Sequence, residues 1–307
     1  MDLRQLHYLV TVADAGGIRK ASRQLHLTQP SLSQALRQLE GEMGVQLVHR
    51  STRGAELTDA GVELVDYARQ ILGQAAAARA AMRRRAAQRT CSLKVGLLAG
   101  IIAAGELTAP ILSRFHESRE DVEVELRDIG FCDQVTPLLS GEVDVALVRA
   151  PLTDRQIELV PLAMDPRLLL VGATHELAGV DRVGIDEILE ERTVPVVAPD
   201  DFAAFWHADD YRGRPNIDRT MAPAKTVADL QFAVATGRAI MIAASVTARV
   251  LPNGLVRAVG VDGLSSSLIA VARRRQDNRR VVQDFIDAAL AIATTQLELL
   301  PGASAPN

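Results

Sequence analysis

The chain has 307 residues, 48% hydrophobic and 23% charged, which suits two or three globular domains with real cores. It holds no run of about 18 apolar residues, and Met1-Asp2-Leu3-Arg4 leads into a periodic helix. Neither a membrane span nor an export signal is expected, and the predicted location is cytoplasmic. The net charge of −4 divides unevenly, with a balance of +5 over residues 1–90 and −9 over residues 91–307, so only the front segment suits a phosphate-rich partner.

Leu3, Leu6, Leu9, Val10 and Ala13 recur at helical spacing and predict a first helix, ended by Gly16-Gly17. A second helix is predicted from about Ile18 to His26, with Ala21 and Leu25 on one face. Thr28 then caps a third helix that tolerates Pro30 in its first turn. That helix sets Leu32, Ala35, Leu36 and Leu39 on one side and Pro30, Ser33, Gln34 and Arg37 on the other. An ordinary surface helix would carry more Glu and Lys. Gln pairs bidentately with adenine, Arg with guanine, and Ser with several base edges, so this face suits a DNA major groove.

Residues 41–61 read as a wing. Val45, Leu47 and Val48 predict one short strand and Leu57 a second, around a basic turn in which Arg50 and Arg53 reach phosphate or the minor groove, or are plain exposed charges. Together these elements predict a winged helix-turn-helix. Thr58 caps a long helix to about Arg85. Val65, Ala68, Leu72, Ala75 and Met82 form a seam on it, interrupted by Arg79, and Ala75–Ala78 are small enough for close helix approach. A dimerisation helix is expected, the other reading being a helix packed within its own subunit. Arg83-Arg84-Arg85 suits the negative end of its dipole.

Residues 92–298 alternate strand and helix patterns, predicting an α/β domain with largely parallel sheets. Predicted strands include Ser92–Leu98, Val122–Arg127, Val143–Val148, Leu168–Val171, Val194–Val197, Ile240–Ala243, Leu255–Val261 and Leu268–Ala272. Predicted helices are Leu107–Phe115, Cys132–Leu139, Val227–Ala235 and Val281–Leu297. Ligands in such sheets sit at strand carboxyl ends. That rule selects Ala99, Gly100 and Ile101, and by position Phe131, Arg149, Phe202 and Thr226. Arg149 either clamps a carboxylate with its planar fork or serves a structural ion pair. Phe202, Phe205 and Trp206 line a pocket or pack a core. Glu187, Glu190, Glu191 and Arg273-Arg274-Arg275 read as solvated charge runs, and Pro301–Asn307 as a disordered tail.

No triad order, P-loop, HExxH or dinucleotide fingerprint is present, so an enzyme is not expected, nor a cofactor or metal. Cys91 and Cys132 stand far apart and outside any CxxC.

The front third resembles the LysR-type family of bacterial transcriptional regulators. The resemblance is carried by Leu3-Arg4-Gln5-Leu6, by Lys20-Ala21-Ser22-Arg23-Gln24-Leu25-His26-Leu27-Thr28-Gln29-Pro30-Ser31-Leu32-Ser33, and by Leu36-Arg37-Gln38-Leu39-Glu40. Glu42-Met43-Gly44-Val45-Gln46-Leu47 and Leu57-Thr58-Asp59-Ala60-Gly61 continue it. Gly17 departs from the family's usual Ser, with little expected loss. The resemblance implies a winged helix-turn-helix over residues 1–60, a linker helix over 58–88 and a periplasmic-binding-protein-like effector domain over 91–300. It implies two crossings between subdomains, near Pro161 and near Leu264–Ser267, giving subdomain I (about 91–161 and 266–300) and subdomain II (about 162–265). It further implies a homotetramer on promoter DNA of dyad symmetry, contacted by Gln29, Pro30, Ser31, Ser33, Gln34 and Arg37 within the helix-turn-helix Ile18–Arg37, with Arg50 and Arg53 in the wing. RNA polymerase and a small-molecule effector complete the partners. An organic acid is the effector class carried forward, although Ala99 and Gly100 stand where relatives often place a hydroxyl. A cysteine-based redox sensor on the same scaffold is the alternative, with Cys132 starting a helix whose N-terminus stabilises a thiolate.

Overall fold

The computed structural model describes residues 1–51, 54–87, 92–250 and 254–306. The chain divides into two units, Met1–Arg83 and Arg84–Asn307. Among the described residues no helix is long and apolar enough to cross a membrane.

The first unit opens with α1 (Leu3–Ala15), α2 (Ile18–Gln24) and α3 (Gln29–Met43). Asp2 and Gln5 form a reciprocal capping box at the start of α1, each side chain accepting the other's backbone N–H at 2.7 Å. Gly16 ends that helix in the left-handed region. Gly17 follows at φ 139°, ψ 159°, a region open essentially to glycine alone. Gly17 stands at the cap position of α2 and gives it no side-chain cap bond. Leu9, Val12, Ala21, Leu32, Leu36 and Leu39 pack into one core.

The wing is an antiparallel pair, β1 (Val48–Ser51) with β2 (Gly54–Leu57). The strand expected from Val45 starts at Val48 instead, because α3 runs to Met43 and leaves Val45 exposed. Glu40 ties helix to wing, its Oε1 accepting the N–H groups of Leu47 and Val48 at 3.0 Å each. The long helix α4 (Asp59–Ala87) has 29 residues, about 43 Å at 1.5 Å per residue. Two residues of its expected seam, Val65 and Ala68, are buried, and Val65 belongs to the first unit's own core. The first turns of α4 complete that core. Tyr67 and Ile71 point outward instead. The side chains of Met82 and Arg83–Arg85 lie outside the described residues.

The second unit has two sheets. The five-stranded sheet joins β3 (Ser92–Leu98), β4 (Glu123–Ile129), β5 (Val145–Arg149), β6 (Ile157–Asp165) and β11 (Ser267–Arg274) in the order β4-β3-β5-β11-β6. The four-stranded sheet joins β7 (Arg167–Gly172), β8 (Arg182–Gly184), β9 (Met241–Ala244) and β10 (Val256–Asp262) in the order β8-β10-β7-β9. Both are mixed, not largely parallel. Strand β11 returns antiparallel between β5 and β6, and β7 lies antiparallel to both β9 and β10. Residues 194–197 form no ladder strand; they lie beside isolated bridges at Thr193 and Val196, since Pro195 lacks a donor.

Helices α5 (Thr108–Ser118) and α11 (Arg280–Thr295) pack Phe115 on Phe285 edge to face, at 5.4 Å between ring centres. A short helix, α6 (Thr136–Ser140), precedes β5. On the second sheet lie α7 (Asp200–Trp206), α8 (Asp209–Arg212), α9 (Val227–Ala235) and α10 (Ser245–Val250).

Three expectations need correction here. The first crossing is not near Pro161, which sits inside β6 opposite Ala270; β6 holds its pairing to Asp165, so the chain leaves the sheet at Pro166. The tail is not disordered through residue 306: Ser304 and Met164 exchange backbone hydrogen bonds at 2.8 and 2.9 Å, and Leu300 is buried in the main core. Arg273-Arg274-Arg275 is not a solvated face. Arg273 Nε donates to Glu158 at 2.8 Å, and Arg274 is buried against Asp144 and Asp277. Burial alone would raise the Asp277 carboxyl, but Arg279 and Arg274 hold it at about 2.

Gly61 lies in the first turn of α4 under the chain at Leu47, where Thr58 N–H donates to the Leu47 carbonyl at 3.0 Å. A methyl group at Gly61 would collide with that same carbonyl oxygen. Gly61→Ala is expected to destabilise the first unit by about 1–3 kcal/mol, read as a lower midpoint in urea unfolding followed by circular dichroism. An unchanged midpoint would show that the 46–48 segment yields freely.

Candidate nucleic-acid interface and ligand cavity

Helix α3 presents its two faces as the 3.6-residue period requires. Leu32, Leu36 and Leu39 are buried, while Gln29, Pro30, Ser31, Gln34 and Arg37 are exposed and Ser33 is half-exposed. Thr28 caps the helix, its Oγ1 accepting Ser31 N–H at 3.3 Å, and the two hydroxyls pair at 2.8 Å. Gln29, Gln34 and Arg37 have no side-chain partner among the described residues. The helix's carboxylates face elsewhere. Glu40 holds the wing. Glu42 accepts from the N-terminal ammonium and from Gln38 at 3.2 Å, and the ammonium, first among the causes, lowers its pKa. Arg50 stands on β1 opposite Ala55; its side chain, and all of Arg53, lie outside the described residues.

The second unit holds a partly open cavity of about 70 Å³, several times what one water needs. Of the residues selected from sequence, Ala99, Phe131, Arg149 and Phe202 line it. Gly100 and Thr226 are not among its lining residues. Thr226 is instead the cap of α9, where its Oγ1 accepts Asp229 N–H at 3.1 Å. The Ile101 side chain lies outside the described residues. Ala99 has its own N–H committed to the Ile129 carbonyl at 2.8 Å.

Sequence reasoning missed most of the wall: Leu98, Ile102, Val194, Val196, Val227 and Leu230, then Met241 to Ala244 from β9, and Thr247 and His207. The signal available was the row of apolar residues ending the predicted strands. Trp206 also lines the cavity; its indole packs on Phe202 and Phe205, and its Nε1 is buried without a partner.

Arg149 decides the electrostatics. It is 1% exposed. Its Nε donates to the Ile102 carbonyl at 2.7 Å, and its Nη1 donates to Ser267 Oγ at 2.8 Å and lies 2.7 Å from Asp165 Oδ2. Nη2 has no partner. Burial pulls the guanidinium below its ordinary value, and the Asp165 charge opposes that pull. Asp165 Oδ1 accepts in turn from Ser245 at 2.6 Å. His207 Nε2 donates to the Val194 carbonyl at 2.9 Å. Burial is the first cause that lowers its pKa from 6.5, so the ring is neutral at pH 7.

Cys132 does not begin a helix: α6 starts at Thr136, and Asp133 Oδ1 accepts the N–H groups of Val135 and Thr136 at 3.2 and 2.9 Å. The thiol donates to the Lys225 carbonyl at 3.7 Å. Cys91 lies outside the described residues. No group of three or more His, Cys, Asp and Glu side chains among the described residues is placed to hold a metal.

Asp165→Asn leaves the buried Arg149 charge uncompensated and is expected to cost about 3–5 kcal/mol. Adding Arg149→Met should cost less than the two separate losses together; strict additivity in chemical unfolding would show no coupling across the pair. His207 carries a sign of its own. Below about 6.5 the unfolded chain binds the proton that the folded ring resists, so its stability contribution is complete above that pH and is lost on acidification. The melting temperature of the wild type should therefore fall more steeply below about pH 6.5 than that of His207→Gln; parallel curves would remove His207 as the cause.

Residues 3–62 match the family described as bacterial regulatory helix-turn-helix protein, lysR family, and residues 88–293 match the LysR substrate binding domain. The chain is 32% identical to the HTH-type transcriptional regulator AlsR of Bacillus subtilis over 64% of each chain. It is 28% identical to the HTH-type transcriptional regulator BudR of Raoultella terrigena over 94% of this chain and 99% of that one. Among solved structures, full-length CbnR complexed with its target DNA matches at a TM-score of 0.51 and 26% identity, over 95% of this chain and 100% of that one. The chain belongs to the LysR family of transcriptional regulators, with a helix-turn-helix DNA-binding domain followed by an effector-binding domain.

Proposed function

We propose that the chain reads promoter DNA of dyad symmetry with the outward face of α3, and that a small molecule in the cavity of the second unit switches that activity. The observation that carries the DNA reading is the state of the α3 side chains. Gln29, Gln34 and Arg37 are exposed and uncommitted, while Glu40 and Glu42 are engaged by the wing and the N-terminus. An uncommitted arginine and two glutamines suit guanine and adenine edges. Pro30, Ser31 and Ser33 add contacts at the helix start, and Arg50 and Arg53 reach the backbone from the wing.

Self-association runs along α4, where Tyr67 and Ile71 are exposed, and builds the tetramer usual in the family. The protein acts in the cytoplasm, with RNA polymerase as a further partner. The cysteine-based alternative gains no support from Cys132, since Asp133 takes the helix start that would have stabilised a thiolate.

The test is binding of the full chain to DNA from upstream of its own gene, by fluorescence anisotropy. Arg37→Ala is expected to weaken specific binding by about 1–3 kcal/mol and to leave the salt slope nearly unchanged. An equal loss on unrelated DNA would make Arg37 a phosphate contact, and no loss would remove it from the interface.

A further inference from the structure

We infer that Glu40 is a positioning residue for DNA binding: by gripping the backbone at Leu47 and Val48 it holds the wing at a fixed pose beside the outward face of α3. The inference rests on reading Arg50 and Arg53 as wing contacts to DNA.

Helix α3 ends at Met43, and Gly44, left-handed at φ 70°, turns the chain back. The return sets Leu47 and Val48 against Glu40, in the last turn of α3. Leu47 is 1% exposed and Val48 0%, so their N–H groups need partners from within the protein. Leu47 precedes the wing ladder, which opens with Val48 opposite Leu57. Glu40 Oε1 accepts both N–H groups, at 3.0 Å each. One carboxylate oxygen has lone pairs for two donors, and its charge strengthens both bonds.

The same short segment is held from the other side. Thr58 N–H donates to the Leu47 carbonyl at 3.0 Å. Thr58 Oγ1 donates to the Gln46 carbonyl at 2.8 Å and accepts Gly61 N–H at 3.0 Å. Gln46 Nε2 donates to the Val48 carbonyl at 3.1 Å. The foot of the wing is thus bonded to α3 through Glu40 and to the start of α4 through Thr58. Arg50 stands on the strand that Val48 opens. The pose of Val48 therefore sets where the wing starts relative to Gln34 and Arg37, exposed on α3. Contacts made from a short exposed element keep their geometry only when supporting bonds hold that element. Glu40 acts through the backbone it holds, since a carboxylate is repelled by phosphate.

The test is a double-mutant cycle with the full chain on DNA from upstream of its own gene. Binding is read by fluorescence anisotropy at moderate salt, below the melting temperature of every variant. In the wild type, replacing Arg50 and Arg53 together by Ala should weaken binding about tenfold. In a Glu40→Met background, which keeps the side-chain length and removes the acceptor, the same replacement should cost less than about threefold. Arg37→Ala should cost the same in both backgrounds, which separates loss of the wing's pose from general loss of structure. An undiminished cost of the arginine pair in Glu40→Met would overturn the inference and leave the wing as a DNA contact. No cost in the wild type would overturn the wing reading and the inference with it. Glu40→Gln, which keeps one acceptor oxygen, serves if Glu40→Met does not fold. In either variant the arginine cost should fall in step with the hydrogen-exchange protection of the Leu47 and Val48 amides. Lost protection with an undiminished arginine cost, or a diminished cost with protection intact, would overturn the inference.

Discussion

The buried pair of Arg149 and Asp165 sets the geometry of the sensing unit. Asp165 is the last residue of β6, just before the chain leaves the first sheet, and Ser267 is the first residue of β11, just after it returns. The two lie opposite each other in the ladder, and Arg149 meets both while also holding the Ile102 carbonyl. A charge taken from water must be paired and hydrogen-bonded, so Arg149 fixes the relative position of three chain segments at once. Arg167, the first residue of β7, repeats the device on the other side. It donates from Nε to the Ser265 carbonyl at 2.7 Å and from Nη2 to Ser265 Oγ at 2.6 Å, and it stacks on the Phe205 ring at 3.8 Å. Burial is the first cause that brings its pKa down to about 10. Two arginines thus bracket the two crossings.

The two units treat charge in opposite ways. In the second unit the cations near the cavity are neutralised by carboxylates of their own chain, which leaves an apolar space. In the first unit the carboxylates of α3 are drawn off by the wing and the N-terminus, which leaves Arg37 uncommitted on the outer face. Overall net charge conceals this, because function depends on which charges retain a free side.

The DNA-binding unit was largely legible in the sequence because its signals are local. The 3.6-residue period of Leu32, Leu36 and Leu39 and the cap at Thr28 lie within single elements, and the structure shows both. The stripe on α4 was legible as far as Val65 and Ala68, but periodicity shows that a stripe is buried, not what buries it. The cavity was half legible. Strand ends and position pointed to Ala99, Phe131, Arg149 and Phe202, and Trp206 carried a pocket-or-core reading, but nothing pointed to His207 or β9, which reach the same space through tertiary folding. Arg149 carried two readings in sequence, and only the fold shows Asp165 beside it. The charge run at Arg273–Arg275 failed for the same reason, since its partners Glu158 and Asp144 are more than a hundred residues away in the chain. Pro301 to Ser304 read as a tail from composition, yet one backbone pairing at Met164 and the burial of Leu300 order it.

The central claim is that this chain is a sequence-reading regulator whose first unit finds a defined site on DNA. The most direct measurement is nuclease footprinting by the full chain on DNA upstream of its own gene, at moderate salt and with excess unrelated competitor DNA. The account predicts a protected region whose two halves are related by dyad symmetry. Uniform partial protection, or none, would contradict it.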